Sequence, residues 1–216
     1  MEEALKKYFG YSSFRPLQKE IITGILNGED TMVLMPTGGG KSICYQLPSV
    51  INKGLTLVIS PLISLMKDQV DSLKLVGISA EFLNSTQDIT EQKNIEKRIL
   101  KNEISLLYVA PERLSSESFL SFLKNIQIDL IAIDEAHCIS EWGHDFRPDY
   151  RELGKLKEIF PNSVIIALTA TATARVCKDI LKQLQMPNAK VYRSSFNRAN
   201  LKYDVRDKLN IYAQLY

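Results

Sequence analysis

Residues 36–42 read PTGGGKS, set between the apolar run TMVLM (31–35) and the helix-compatible segment SICYQLPSVI (42–51). Glycine loses more backbone freedom on folding than any other residue, so three in a row are costly to order. A chain accepts that cost where its backbone must approach something closely. A loop of N–H groups running from a strand into a helix N-terminus suits a phosphate, because amide donors and the positive end of the helix dipole converge there. Thr37, Gly38, Gly39 and Gly40 then form the cradle, Lys41 reaches the β- and γ-phosphates, and the Ser42 hydroxyl holds Mg²⁺. Met35 stands where the full phosphate-loop pattern has an earlier glycine. A plain flexible glycine turn is the competing reading.

A strand that ends in such a loop needs partners. Apolar runs recur at 55–60, 104–110, 129–134, 163–169 and 190–193, with a weaker one at 80–84. They are rich in Val, Ile and Leu and alternate poorly, as expected of strands buried on both faces. Between them, 62–75 and 90–101 carry apolar residues at helical spacing. Alternating strands and helices predict an α/β domain with a mostly parallel central sheet and helices on both faces. Ligands of such sheets bind beyond the carboxyl ends of the strands.

The chain has 216 residues, 45% hydrophobic and 24% charged, enough for one domain with a core. Its net charge of +2 makes no general case for nucleic acid, which must come from local residues. Cys44, Cys138 and Cys177 are far apart, so neither a zinc site nor a disulfide frame is expected. No signal peptide or bilayer-spanning run is expected either, and reduced thiols point to a cytoplasmic protein with no membrane partner. From about Asn197 to Tyr216 the chain turns polar and reads as a connection, or alternatively as a C-terminal helix packed on the domain.

The run DLIAID ends in Asp134, and Glu135 follows. A carboxylate at a strand's end, facing the phosphate loop of a neighbouring strand, suits the Mg²⁺ shell. Its neighbour then suits the role of base, or of positioner for an attacking water. His137 either relays to the γ-phosphate region or is a satisfied structural histidine.

MPTGGGKS, DEAH (134–137) and TATAT (169–173), in this order, resemble motifs I, II and III of superfamily 2 helicases. FGYSSFRPLQ (9–18), SPLISLMKDQ (60–69), YVAPERL (108–114) and SEWGHDFRPDY (140–150) narrow the resemblance to the RecQ DNA helicases, over nearly the whole chain. The resemblance implies a RecA-like ATP-binding domain over 1–200, with 201–216 starting the connection to a second RecA-like domain. It implies ATP and Mg²⁺ as cofactors, and 3′–5′ translocation on single-stranded DNA with duplex unwinding in repair and recombination. Tyr11 would stack on adenine, Gln18 would read the adenine edge, and Arg15 would support that pocket. Leu17 stands where the family usually has glycine. Thr169 and Thr171 would link the nucleotide side to the DNA side, while Lys67 and Arg113 would meet a DNA strand. The missing domain would bring arginine fingers, so this piece alone would bind nucleotide weakly, hydrolyse poorly and unwind nothing.

The tract after the carboxylates resembles the family's aromatic-rich loop, and its logic also stands alone. Single strands expose π faces, and aromatic rings stack on them at about 1–3 kcal/mol per base. Trp142 and Phe146 supply rings, Arg147 a guanidinium, and His144 supports either. A core Trp anchoring the loop is the alternative. Two further functional readings stay open: another superfamily 2 translocase or RNA helicase, and a binding module with a vestigial phosphate loop. A monomer is expected.

Overall fold

The computed structural model describes residues 1–84, 86–195 and 201; the connection expected over 201–216 lies outside them apart from Leu201. The described chain runs α1 (Glu2–Phe9), α2 (Gln18–Leu26), β1 (Thr31–Leu34), α3 (Ile43–Ile51), β2 (Leu55–Ile59), α4 (Ile63–Leu75), β3 (Ala80–Leu83) and α5 (Ile89–Leu100). It continues through β4 (Leu106–Val109), α6 (Glu117–Leu123), β5 (Ile128–Ile133), α7 (Leu156–Ile159), β6 (Val164–Thr169), α8 (Ala174–Gln183) and β7 (Lys190–Arg193). Each expected run forms a strand whose ends fall within two residues of the expectation. Helix starts follow capping chemistry: Asp88 accepts from Glu91 N at the head of α5, and Thr173 accepts from Val176 N at the head of α8. Gly10 ends α1 in the left-handed conformation.

The strands form one sheet in the order β3-β4-β2-β5-β6-β1-β7, and every pairing described is parallel. Successive strand residues feed two cores. Leu57, Ile59, Ile131, Ile133 and Ile165 pack on one face with residues of α5, α6 and α8. Val33, Val58, Leu130, Ala132 and Ile166 pack on the other with α2, α3 and α4. Burial on both faces explains why the runs of β1, β2, β4, β5 and β6 showed so little alternation, whereas β7, at the sheet edge, is largely exposed, contrary to the expectation for 190–193.

The expectation that Asp134 faces the loop of an adjacent strand is corrected here. β5 and β1 are not neighbours, because β6 lies between them and pairs with both. The acids therefore reach across one strand, whose own end carries Thr169. Strand order depends on long-range packing, which leaves no mark in the alternation of runs. Among the described residues no helix is long and apolar enough to cross a membrane.

A candidate nucleotide and nucleic-acid site

All strands being parallel, their carboxyl ends share one edge of the sheet. β1 opens there into the phosphate loop, β6 into Thr169–Thr171, β5 into Asp134–Glu135 and β2 into Ser60–Pro61. Gly38 (φ 78°) and Gly40 (φ 84°) take left-handed backbone, and a Cβ on Gly40 would lie 2.5 Å from Gln18 Nε2. Met35 keeps negative φ and buries its side chain in the core, so the loop closes without the earlier glycine. Lys41 Nζ donates to the Met35 carbonyl at 3.2 Å, folding across its own loop. Ser42 already has helical backbone, and Gln46 N donates to its carbonyl at 2.9 Å, so α3 begins directly under the loop.

The segment before α2 braces this loop from behind. Gln18 N donates to the Arg15 carbonyl at 3.2 Å, with Pro16 second and Leu17 third in the turn. That turn type asks for glycine in third place. Leu17 sits there at φ 68°, at a cost of about 1–2 kcal/mol, and packs against the core as it does so. Gln18 Oε1 accepts from Arg15 N (2.8 Å), its Nε2 donates to the Gly40 carbonyl (3.0 Å), and Arg15 Nη1 donates to the Gly38 carbonyl. Gln18 is buried and lies behind the loop rather than on the cleft wall, while Tyr11 and Arg15 stand at the cleft itself.

The acid pair is held as tightly. Asp134 N donates to Ile59 O (2.9 Å), Glu135 N donates to Asp134 Oδ1 (3.0 Å), and the Tyr150 hydroxyl donates to the Asp134 carbonyl (3.0 Å). Glu135 takes left-handed backbone at φ 48°, a conformation a non-glycine residue keeps only when its surroundings hold it. Burial, and then the charge of Glu135, push Asp134 up to about 6. The hydrogen bond from His137 Nδ1, 3.2 Å from Glu135 Oε2, holds Glu135 below the ordinary carboxylate range. The two acids are thus driven apart: Asp134 is in want of a cation, and Glu135 is kept ionised. Lys41, Ser42, Asp134 and Glu135 line one cleft of about 410 Å³, within the range of small-molecule sites.

Glu135 and Thr37 also line a second cleft of about 280 Å³, which continues through His137, His144, Arg147 and Thr171. His137 Nδ1 lies 2.9 Å from Thr169 Oγ1, which accepts from Thr171 N (3.1 Å). The His144 ring stacks on His137 at 4.5 Å and 11°. Arg147 Nη1 donates to the Pro61 carbonyl at 3.2 Å. Phe146 is half-buried with the Arg151 guanidinium 5.1 Å from its ring centroid. Trp142 is 58% exposed, which places it outside the core. His137, Cys138 and Asp145 bring ligand atoms within 4.8 Å of one another. Burial and then Asp145 push the Cys138 thiol up to about 12, so it stays a thiol and donates to Asp145 at 3.8 Å. Lys67 is exposed, whereas the Arg113 guanidinium lies over Phe119 at 4.9 Å.

Residues 15–180 match the family model described as DEAD/DEAH box helicase. The chain belongs to that family. Within it, this helicase chain groups with the RecQ branch. It is 51% identical over 211 residues to an ATP-dependent DNA helicase RecQ of Haemophilus influenzae, covering 98% of this chain and 34% of that protein. It is 49% identical to the RecQ helicase of Pasteurella multocida, covering 99% and 34%. The chain thus spans about a third of the length of these curated relatives. The crystal structure of the DUF1998 helicase MrfA shares the fold at a TM-score of 0.71 and 20% identity, covering 88% of this chain and 32% of that one.

Several residues of the helicase site carry no motif signal. Tyr45, outside every quoted motif, lines the first cleft; Ser60, Gln69 and Tyr108 line it from the ends of two quoted stretches expected to meet a DNA strand, and among the described residues the buried Ser60 hydroxyl has no partner. Tyr150 ends the quoted tract, yet its tie to the Asp134 carbonyl needed the fold to be seen. The clasp of α8 on the aromatic loop, through Arg175 and Asp179, lies outside every motif.

Proposed function

We propose that this chain is the ATP-binding lobe of an ATP-dependent DNA helicase that moves 3′–5′ along single-stranded DNA and unwinds duplexes in repair and recombination. One observation carries the reading: Glu135 lies on two clefts at once, one holding Lys41, Ser42 and Asp134, the other holding His137, His144 and Arg147. The loop amides and Lys41 bind the phosphates. Ser42 and Asp134 offer hard oxygen donors, and Asp134 Oδ2, which has no hydrogen bond among the described residues and lies in a desolvated corner, fits Mg²⁺, which would neutralise phosphate charge. Glu135, ionised beside His137, orients the attacking water and accepts its proton. Tyr11 stacks on adenine and Arg15 supports it. Gln18 holds the loop in shape and meets the adenine edge when nucleotide enters.

On the second side, Trp142, Phe146, Arg147 and His144 meet the DNA strand. Motion of their loop passes through the His144–His137 stack to Glu135, and through Thr169 and Thr171 along β6. A second RecA-like domain of the same protein supplies arginine fingers, so the 216 residues alone bind ATP or ADP weakly and turn over little. The protein acts as a monomer in the cytoplasm, on the nucleoid if bacterial. The named relatives are DNA helicases, which weighs against the RNA-helicase alternative.

The test is ATP turnover by the protein together with its second domain, alone and with single-stranded DNA, duplex DNA or RNA. Strong stimulation by single-stranded DNA is expected. Equal turnover with and without it would remove the coupling, and preference for RNA would transfer the protein to the other class. Loss of nucleotide binding in Lys41→Ala separates a working phosphate loop from a vestigial one.

A further inference from the structure

The first two turns of α8 hold the aromatic loop at two points. The Ser140 hydroxyl, fully buried, donates to Asp179 Oδ2 at 2.6 Å. Two residues on, the Arg175 guanidinium lies 3.2 Å from the centroid of the Trp142 ring. Arg175 and Asp179 are four residues apart, so both project from one face of α8. The first contact pins the base of the loop and the second touches its tip.

Arg175 is oddly placed for a structural residue. It sits in the first turn of α8, which contains no acidic residue, and a cation there opposes the helix dipole. Arg151, beside the loop's other ring, shares its guanidinium with Glu141, whereas no ion pair involves Arg175 among the described residues. Both arginine and ring are exposed. A guanidinium stacked at 3.2 Å covers one face of an indole, and the 58% exposure of Trp142 leaves the other face to solvent.

Resting on the proposed nucleic-acid reading, we infer that Arg175 is a positioning residue for the strand: it backs Trp142 so that a nucleobase stacks on the open face, and its unpaired charge takes the adjoining phosphate. The cation–π contact holds the ring in one orientation before the strand arrives, so less side-chain entropy is lost on binding. The guanidinium adds one phosphate contact where the base is seated. Neither group alone makes a nucleotide subsite; a ring with one covered face and an adjacent free cation does.

Trp142 is the only tryptophan in the chain, so its emission reports on this subsite directly. Titrating a short oligothymidylate into the 216-residue chain, without nucleotide, should quench that emission. Arg175→Ala should raise the dissociation constant about 3- to 10-fold. Arg175→Met keeps the stem against the ring but removes the charge, and it should lower the slope of log affinity against log salt by about 0.7. Arg175→Lys should restore the slope but only part of the affinity, because an ammonium does not stack as a guanidinium does. Unchanged or tighter binding by Arg175→Ala would overturn the inference, since Arg175 would then merely cover the ring. So would an unchanged salt slope in Arg175→Met. If wild-type emission ignores DNA altogether, the nucleic-acid reading falls and takes this inference with it.

Discussion

Asp134 tests the electrostatics of the nucleotide cleft most directly. Its carboxyl is displaced from 3.8 to about 6, first by burial and then by the charge of Glu135. A carboxyl raised on folding binds extra protons in the folded state between those two values. Stability therefore falls as pH rises through that window, and the whole penalty is present above it. At ~1.4 kcal/mol per pH unit the ceiling is about 3 kcal/mol, and the open side of the cleft, which lets water screen the charge, reduces this to about 1–2 kcal/mol. Asp134→Asn removes the charge while its Oδ1 still accepts from Glu135 N. For a domain of this size the variant should melt about 2–8 °C above wild type at pH 7.5, and the gap should shrink to about a third at pH 4.5. Thermal unfolding followed by circular dichroism measures both. Excess Mg²⁺ and ADP should then reverse the order, raising the wild-type midpoint and leaving the variant nearly unmoved. A variant that melts at or below wild type at pH 7.5, or a gap that does not depend on pH, would refute the claim that Asp134 is an uncompensated charge awaiting a cation.

Three other substitutions separate anchor from reporter. Trp142→Ala should leave nucleotide affinity within about 2-fold but cut DNA-stimulated turnover of the two-domain protein by about 10-fold or more, from the ~1–3 kcal/mol of lost stacking. Equal loss of both would make Trp142 structural. Ser140→Ala strands Asp179 without its buried donor and should cost about 1–3 kcal/mol in urea unfolding, an effect Trp142→Ala should not share. Gly40→Ala puts a Cβ at φ 84° and 2.5 Å from Gln18 Nε2, so it should cost about 1–2 kcal/mol and weaken ATP binding; unchanged ATP affinity by calorimetry would show that the loop tolerates a side chain there.

Much of the fold could be read along the chain. A strand buried on both faces declares itself by a Val/Ile/Leu-rich run, as β1, β2, β4, β5 and β6 do, and such runs separated by helical spacing admit few architectures; β7, KVYR at the sheet edge, is largely exposed. The phosphate loop was legible because GGGKS between a strand and a helix has one economical use. The acid pair was legible because it closes an apolar strand in a chain that already carries the glycine-rich loop. Other features left no such trace. Leu17 in a glycine position looked like a departure, and only its backbone at φ 68° shows that the turn is kept at a cost in strain. Gln18 carried a motif signal for the adenine edge, and only the packing shows its amide tied to Arg15 and Gly40.

What the sequence determined by itself was local: which segments are strands, where backbone must come close to a phosphate, and which acids end a strand. These follow from interactions within a few residues, where glycine conformation and side-chain period decide the outcome. The tertiary structure alone decided that β6 stands between the loop and the acids, that Glu135 borders two clefts, and that Arg175 lies on Trp142. Those contacts join residues tens of positions apart. They arise from how the two cores pack on the sheet, and no short stretch of chain records that.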